Sequence, residues 1–267
     1  MRCVPSFSSP EFVFVGVVHL LALPACPVRS QGFAAVRTRA LADAEALVAG
    51  GVTGMILENL GDAPFTAGAV DPHVVAFVAI LAADIRARFP SVKLGINLLR
   101  NDVRGAMAVA AASGADFVRV NVHTGAMLTD QGLIQGDAHR TLRYRRELEG
   151  EHIGIAADVL VKHAVPLGAQ DVGAVAADTF RRGAADVLIV TGEGTGKPAD
   201  PARVAAVRGA VPEAPVWVGS GVTLASAPLW RAAAHGAIVG SALHTDGNLA
   251  LPVDSVRVTA MARALAG

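Results

Sequence analysis

Short runs of apolar residues, closed by Gly, Asp or Asn, alternate along this chain with longer Ala-rich stretches whose apolar positions recur at helical spacing. The short runs predict strands over 13–18, 54–58, 93–97, 116–121, 153–158, 186–191, 216–219 and 237–240. The longer stretches predict helices over 34–49, 72–88, 102–113, 138–148, 172–182, 201–211, 224–235 and 255–266. Gly50-Gly51, Gly114 and Gly183 fall where helices stop, as expected of residues that enter the left-handed region freely. Pro72 and Pro201 stand just inside helix starts, where a missing N–H costs nothing.

Repeated β-then-α units predict a parallel sheet closed into a (β/α)8 TIM barrel, a single domain over 1–267 with its core at about 12–258. An open doubly wound sheet is the competitor. It would carry its glycine fingerprint after the first strand, and Gly16-Val17-Val18-His19-Leu20 is not G-x-G-x-x-G. The unassigned stretch 122–137 is expected to be an active-site loop or lid.

In such a barrel the carboxyl ends of the strands build the active site. Alternation along the fourth strand puts Arg119, Asn121 and His123 on one face and Val118, Val120 and Val122 on the other. The valines suit the interface with the helices, so the polar trio points into the barrel mouth. By the same alternation Asn97 and Asp158 face inward, and Glu58 ends the second strand. A structural pairing of Arg119 with Asp158 would account for those two alone. Convergence from four strands favours a site.

The seventh and eighth strands end in Gly219-Ser220-Gly221 and Gly240-Ser241. Small residues let a backbone approach a ligand, and these two loops are the usual phosphate site of such barrels. Tight βα turns are the plainer explanation of the same residues. Gly192-Glu193-Gly194-Thr195-Gly196-Lys197-Pro198 lacks the spacing and hydroxyl residue of a P-loop, and is read as a loop over the site with Lys197 reaching ligand phosphate.

Composition narrows the classes. The chain is 52% hydrophobic and only 4% aromatic, which predicts a large core of small and β-branched side chains. With 23 Lys+Arg against 23 Asp+Glu it lacks the basic excess of a nucleic-acid binder. Two cysteines, Cys3 and Cys26, are too few for a disulfide scaffold and suggest a reduced, cytoplasmic setting. The apolar run over 12–23 has Arg2 as the lone basic residue before it and Glu11 at its border, and is read as a first strand rather than a lipoprotein leader or membrane span. His235 is expected at the surface, and no histidine spacing matches a zinc site.

Several blocks together carry a family resemblance. Gly61-Asp62-Ala63-Pro64-Phe65, Asn97-Leu98-Leu99-Arg100-Asn101-Asp102, the segment from Phe117 to Ala126, Thr129-Asp130-Gln131-Gly132, Asp158-Val159-Leu160-Val161-Lys162-His163 and Gly219-Ser220-Gly221-Val222-Thr223 resemble the BtpA family, from about Phe12 to Val258. The resemblance implies a ribulose-phosphate-binding type of barrel. The family is named for a role in photosystem I biogenesis and includes sugar-operon proteins, for which a sugar- or nucleoside-directed activity is suspected. Leu243-His244-Thr245-Asp246-Gly247 stands where relatives tend to carry lysines before the Asp-Gly.

The expected function is an enzyme acting on a small phosphorylated sugar or nucleoside-type substrate, as an isomerase, an epimerase or an N-glycosidic hydrolase. Asp158 or Glu58 is its general base, and Lys162 an alternative base or charge stabiliser. Asn97, Arg119, Asn121 and His123 complete the catalytic set. Gly219, Ser220, Gly221, Gly240 and Ser241 hold the phosphate. A divalent metal between Glu58 and Asp158 is left open, and no other cofactor is expected. The expected partners are a small phosphorylated or ribosyl ligand and further copies of the chain in a homo-oligomer, without nucleic acid or membrane insertion. The alternative is a non-enzymatic assembly factor on a barrel scaffold.

Overall fold

The computed structural model describes residues 11–168 and 170–267, so Arg2 and Cys3 lie outside the described residues. Eight parallel strands close into a barrel in the order β1-β11-β10-β9-β7-β4-β3-β2. They are β1 (Val13–His19), β2 (Gly54–Glu58), β3 (Lys93–Asn97), β4 (Phe117–Val120), β7 (Gly154–Val159), β9 (Val187–Val190), β10 (Val216–Val218) and β11 (Gly236–Val239). Closure excludes the open sheet.

Helices α1 (Phe33–Ala49), α2 (Pro72–Arg88), α3 (Val103–Ser113), α4 (Ala138–Glu147), α5 (Val172–Ala177), α6 (Pro201–Ala210), α7 (Ala227–Ala233) and α8 (Ser255–Ala266) surround it. Among the described residues no helix is long and apolar enough to cross a membrane.

Alternation sorts the strand side chains into two cores. Outward-facing Phe14, Val18, Val118, Val120, Ile155 and Ala157 pack with Leu47, Leu81, Ile85 and Met107 of the helices. Inward-facing Val15, Val17, Ile56, Phe117, Ala156, Val187, Ile189, Trp217 and Ile238 fill the lumen. Phe117 and Trp217 meet edge to face, their ring centroids 5.9 Å apart. The small residues around them are what let two large rings fit. Gly95 faces Phe117, and a Cβ there would lie 2.3 Å from the ring. This apolar plug closes the barrel beneath the polar rim and leaves that rim as the place for chemistry.

Three features depart from the sequence pattern. The stretch after β4 holds a hairpin, β5 (Ala126–Thr129) with β6 (Gly132–Gln135), which pairs with β8 (Ala164–Pro166) in a small antiparallel sheet. The helix expected over 172–182 changes at Asp178–Arg182 into a wider π turn. Gly183 is not left-handed (φ −75°). It is small because a Cβ would lie 2.6 Å from the Thr179 carbonyl oxygen and 2.8 Å from Thr124, and Ala184 takes the positive φ instead.

Candidate active site

Register places the rim. Parallel pairing sets His19 beside Glu58, and Glu58 beside Asn97, so the last residues of β1, β2 and β3 stand in a row. The next strands continue the row: Arg119 of β4 and then Asp158 of β7 rise above the Phe117 and Ala156 layer.

The rim side chains form one network. Asn97 Nδ2 donates to Glu58 Oε2 at 2.7 Å. Arg119 Nη2 donates to both oxygens of Asp158 at 3.2 Å, and Asn121 Nδ2 donates to Asp158 Oδ2 at 2.9 Å. Arg119 Nη1 is 3.8 Å from Glu58 Oε2, so one guanidinium bridges two carboxylates. Glu58 Oε1 faces His19 Nε2 at 3.9 Å. His19 Nδ1 lies 3.2 Å from His244 Nε2, and His244 Nδ1 lies 2.7 Å from the Leu251 carbonyl oxygen.

Burial shapes the charges. It pushes the Glu58 carboxyl up, but His19, Arg119, Lys162 and the Asn97 amide outweigh it and hold Glu58 below the usual carboxylate range. Burial lowers His19 to about 4, with His244, Lys162 and Arg119 adding to the effect and Glu58 opposing it. Lys162 is lowered by burial and by the Arg119 charge. Buried Arg119 Nε and Asn121 Oδ1 have no hydrogen-bond partner among the described residues, which leaves a donor and an acceptor at the rim.

A cavity of about 520 Å³ opens above this network, lined among others by Glu58, Arg100, Arg119, Asn121, Lys162 and His163. That is within the size range of small-molecule sites. Beside it lies a recess of about 40 Å³ lined among others by His19, Gly219, Ser220, Gly221, Gly240 and Ser241, with Glu58, Arg119, Lys162 and Thr195 common to both. At ~10–15 Å³ per water, the recess has room for roughly three waters or one small anion.

The residues from 11 to 267 match the model of the BtpA family. The chain belongs to the BtpA family. One BtpA relative, the photosystem I biogenesis protein BtpA of Synechocystis, is 45% identical over 252 residues, covering 94% of this chain and 87% of that one. An uncharacterized protein of Thermococcus kodakarensis is 42% identical, covering 88% of each chain. Solved structures share the barrel at low identity. Tryptophan synthase of Mycobacterium tuberculosis matches with TM-score 0.61 and 17% identity, over 96% of this chain and 93% of that one. Phosphoribosyl anthranilate isomerase of Thermus thermophilus matches with TM-score 0.57 and 11% identity, over 96% and 98%.

Of the candidate residues in this BtpA chain, Glu58, Asn97, Arg119, Asn121, Asp158 and Lys162 come together. So do the five small residues of the recess, though their smallness also serves packing. A Cβ at Gly219 would lie 2.6 Å from Ile189, one at Gly221 2.3 Å from Pro198 Cα, and one at Gly240 2.8 Å from His19. Ser220 Oγ accepts from the Gly192 amide at 2.7 Å and donates to the Lys197 carbonyl at 2.9 Å, which ties down the glycine-rich loop. The Lys197 side chain is exposed.

His123 stands apart. Its Nε2 bonds to the Gly183 carbonyl at 2.8 Å, and it lines a separate cavity against α4 and the π turn. The strand pattern ends because Asn101 grips Val122, accepting from its N–H at 2.8 Å and donating to its carbonyl at 3.0 Å. That clamp turns the chain before His123 can face inward. Nor is His235 a surface residue: it is half-buried and its Nδ1 accepts from the Val216 amide at 2.9 Å.

Sequence reasoning missed His19, His244 and Arg100. Strand phase puts His19 on the inward face with Val13, Val15 and Val17, but β1 is apolar on both faces and offers no contrast to single it out. Arg100 is buried at the cavity wall and reaches Asp130, at the tip of the β5–β6 hairpin, at 3.3 Å. The open question of a metal between Glu58 and Asp158 meets a direct obstacle. The Arg119 guanidinium fills that position and already supplies the positive charge. No group of three His, Cys, Asp or Glu among the described residues could hold a metal ion.

Proposed function

We propose that this chain is an enzyme that isomerises or epimerises a small phosphorylated sugar or ribosyl compound by proton transfer. The observation that carries the reading is the convergence of Glu58, Arg119, Asn121 and Lys162 on one cavity that continues into the glycine-lined recess. The recess would take the phosphoryl group, with Gly219, Ser220, Gly221, Gly240 and Ser241 around it. The larger cavity would take the sugar.

The two carboxylates have different parts. Asp158 is fully engaged by Arg119 and Asn121, so it orients those donors. Glu58 turns Oε1 toward His19 at 3.9 Å and is held ionised, so it can steady positive charge that forms beside the cavity. Lys162 and Arg119 would neutralise negative charge developing on substrate oxygen. Hydrolysis of an N-glycosidic bond by two carboxylates needs both of them free to flank the bond, and Asp158 is held by Arg119 on both oxygens and by Asn121.

Thermal unfolding with a panel of sugar phosphates and nucleotides tests the reading. A ligand at 100 times its Kd adds about 2.7 kcal/mol. Stabilisation by a sugar phosphate that is lost in Arg119→Lys supports it, and no shift with any anionic ligand overturns it.

The assembly-factor reading rests on the name of the Synechocystis relative and on a surface feature. Leu128, Leu133 and Val165 stand side by side across β6, β5 and β8, and all three are exposed, with Leu167 beyond. A pull-down that depends on Leu128 but not on Glu58 would favour that reading.

A further inference from the structure

The ring-to-ring contact at the foot of the site fixes where protons sit. The Leu251 carbonyl can only accept, so His244 Nδ1 carries the proton in their 2.7 Å bond. The opposite nitrogen of a neutral His244 is then the acceptor, and His19 Nδ1, 3.2 Å away, must be the donor. That leaves His19 Nε2 with a bare lone pair. This nitrogen lies 3.9 Å from Glu58 Oε1, and its ring fills the space that the missing side chain of Gly240 leaves at the recess.

We propose that His19, held as the Nδ1–H tautomer by the positioning residue His244, is the proton acceptor of the site, acting on a C–H bond next to the carbonyl of a sugar phosphate. The inference rests on the reading above and names the proton acceptor within it. The C–H bond breaks, its proton goes to Nε2, and its electron pair moves onto the carbonyl oxygen as an enolate. The imidazolium beside Glu58 then returns the proton to carbon, or exchanges it with solvent first.

The groups around His19 suit the task. Lys162 and Arg119 are cations that disfavour a standing charge on the ring, and Glu58 is the anion that stabilises the charge once it forms. Burial is the largest influence, and with these neighbours it places the ring near 4, so the lone pair is free throughout the neutral range.

The test is solvent exchange. Ribose 5-phosphate, ribulose 5-phosphate and dihydroxyacetone phosphate are incubated with the protein in heavy water, and loss of the carbon-bound proton signal is followed by NMR. Exchange is expected with at least one probe. His19→Gln should slow it by about 10² to 10⁴, with the thermal shift for that probe retained. His244→Phe should slow it by about 10-fold and move the His19 nitrogen resonances away from those of the Nδ1–H tautomer.

Undiminished exchange in a folded His19→Gln overturns the proposal. So does a wild-type nitrogen spectrum at pH 7 showing His19 protonated at Nε2, a readout that needs no variant. A probe that stabilises the protein but never exchanges sinks the proposal and leaves the binding site standing. If no probe stabilises it, both readings fall.

Discussion

Arg119 is the keystone of the rim, and removing it gives a sharp test of the charge balance. Its side chain is 3% exposed and that of its partner Asp158 is 0% exposed. Arg119→Met keeps much of the volume but leaves Asp158 with only the Asn121 amide and Glu58 without its guanidinium neighbour. Breaking one side of a buried ion pair costs roughly 3–5 kcal/mol, because the remaining charge stays desolvated. Asp158→Asn in the Arg119→Met background removes that stranded charge, so the double variant is expected to be more stable than Arg119→Met alone by about 2 kcal/mol. Urea unfolding with an unchanged m-value reads both numbers. A loss under about 1 kcal/mol for Arg119→Met, or losses that simply add, would refute the reasoning.

Further predictions concern the neighbours of this network. The His19 pKa falls from 6.5 to about 4 on folding, so the unfolded chain binds the proton first. The stability from this group is therefore complete above about pH 6.5 and is lost as pH drops toward 4. At 1.36 kcal/mol per pKa unit the loss approaches roughly 3 kcal/mol, and His19→Gln should show a correspondingly flatter pH profile in urea titrations. Gly95→Ala drives a methyl group into the Phe117 ring and should cost about 1–3 kcal/mol by the same assay, with Gly209→Ala, which meets nothing within 4 Å, as the control. Ser220→Ala removes the tie between Gly192 and Lys197. It should speed amide exchange at Gly192 at least 10-fold while leaving the β9 core amides unchanged.

How much of this could be read from the chain depended on contrast between strand faces. Arg119 and Asn121 were legible because Val118 and Val120 sit between and beside them, and Asp158 because Ile153 and Ile155 mark the outer face. His19 was not, because β1 is apolar on both faces: Val15 and Val17 fill the lumen while Phe14 and Val18 meet the helices. Period-two reading also has no way to mark where a strand stops. The Asn101 clamp on Val122 is a contact between loops far apart in sequence, and it sent His123 behind the barrel wall. The β5–β6 hairpin was hidden for a related reason. Its strands are four residues each, and its third partner, β8, comes a whole helix and strand later. The barrel itself was visible because eight repeats of one pattern reinforce one another.

Everything proposed for this barrel requires its carboxyl rim to be a ligand site with the anion pocket at the ends of β10 and β11. A crystal structure of the protein soaked in ribose 5-phosphate tests it most directly. Phosphate density is expected against Gly219, Ser220, Gly221, Gly240 and Ser241, with the sugar between Glu58 and Lys162. Density for the sugar phosphate only elsewhere, for instance in the cavity beside His123, would contradict it.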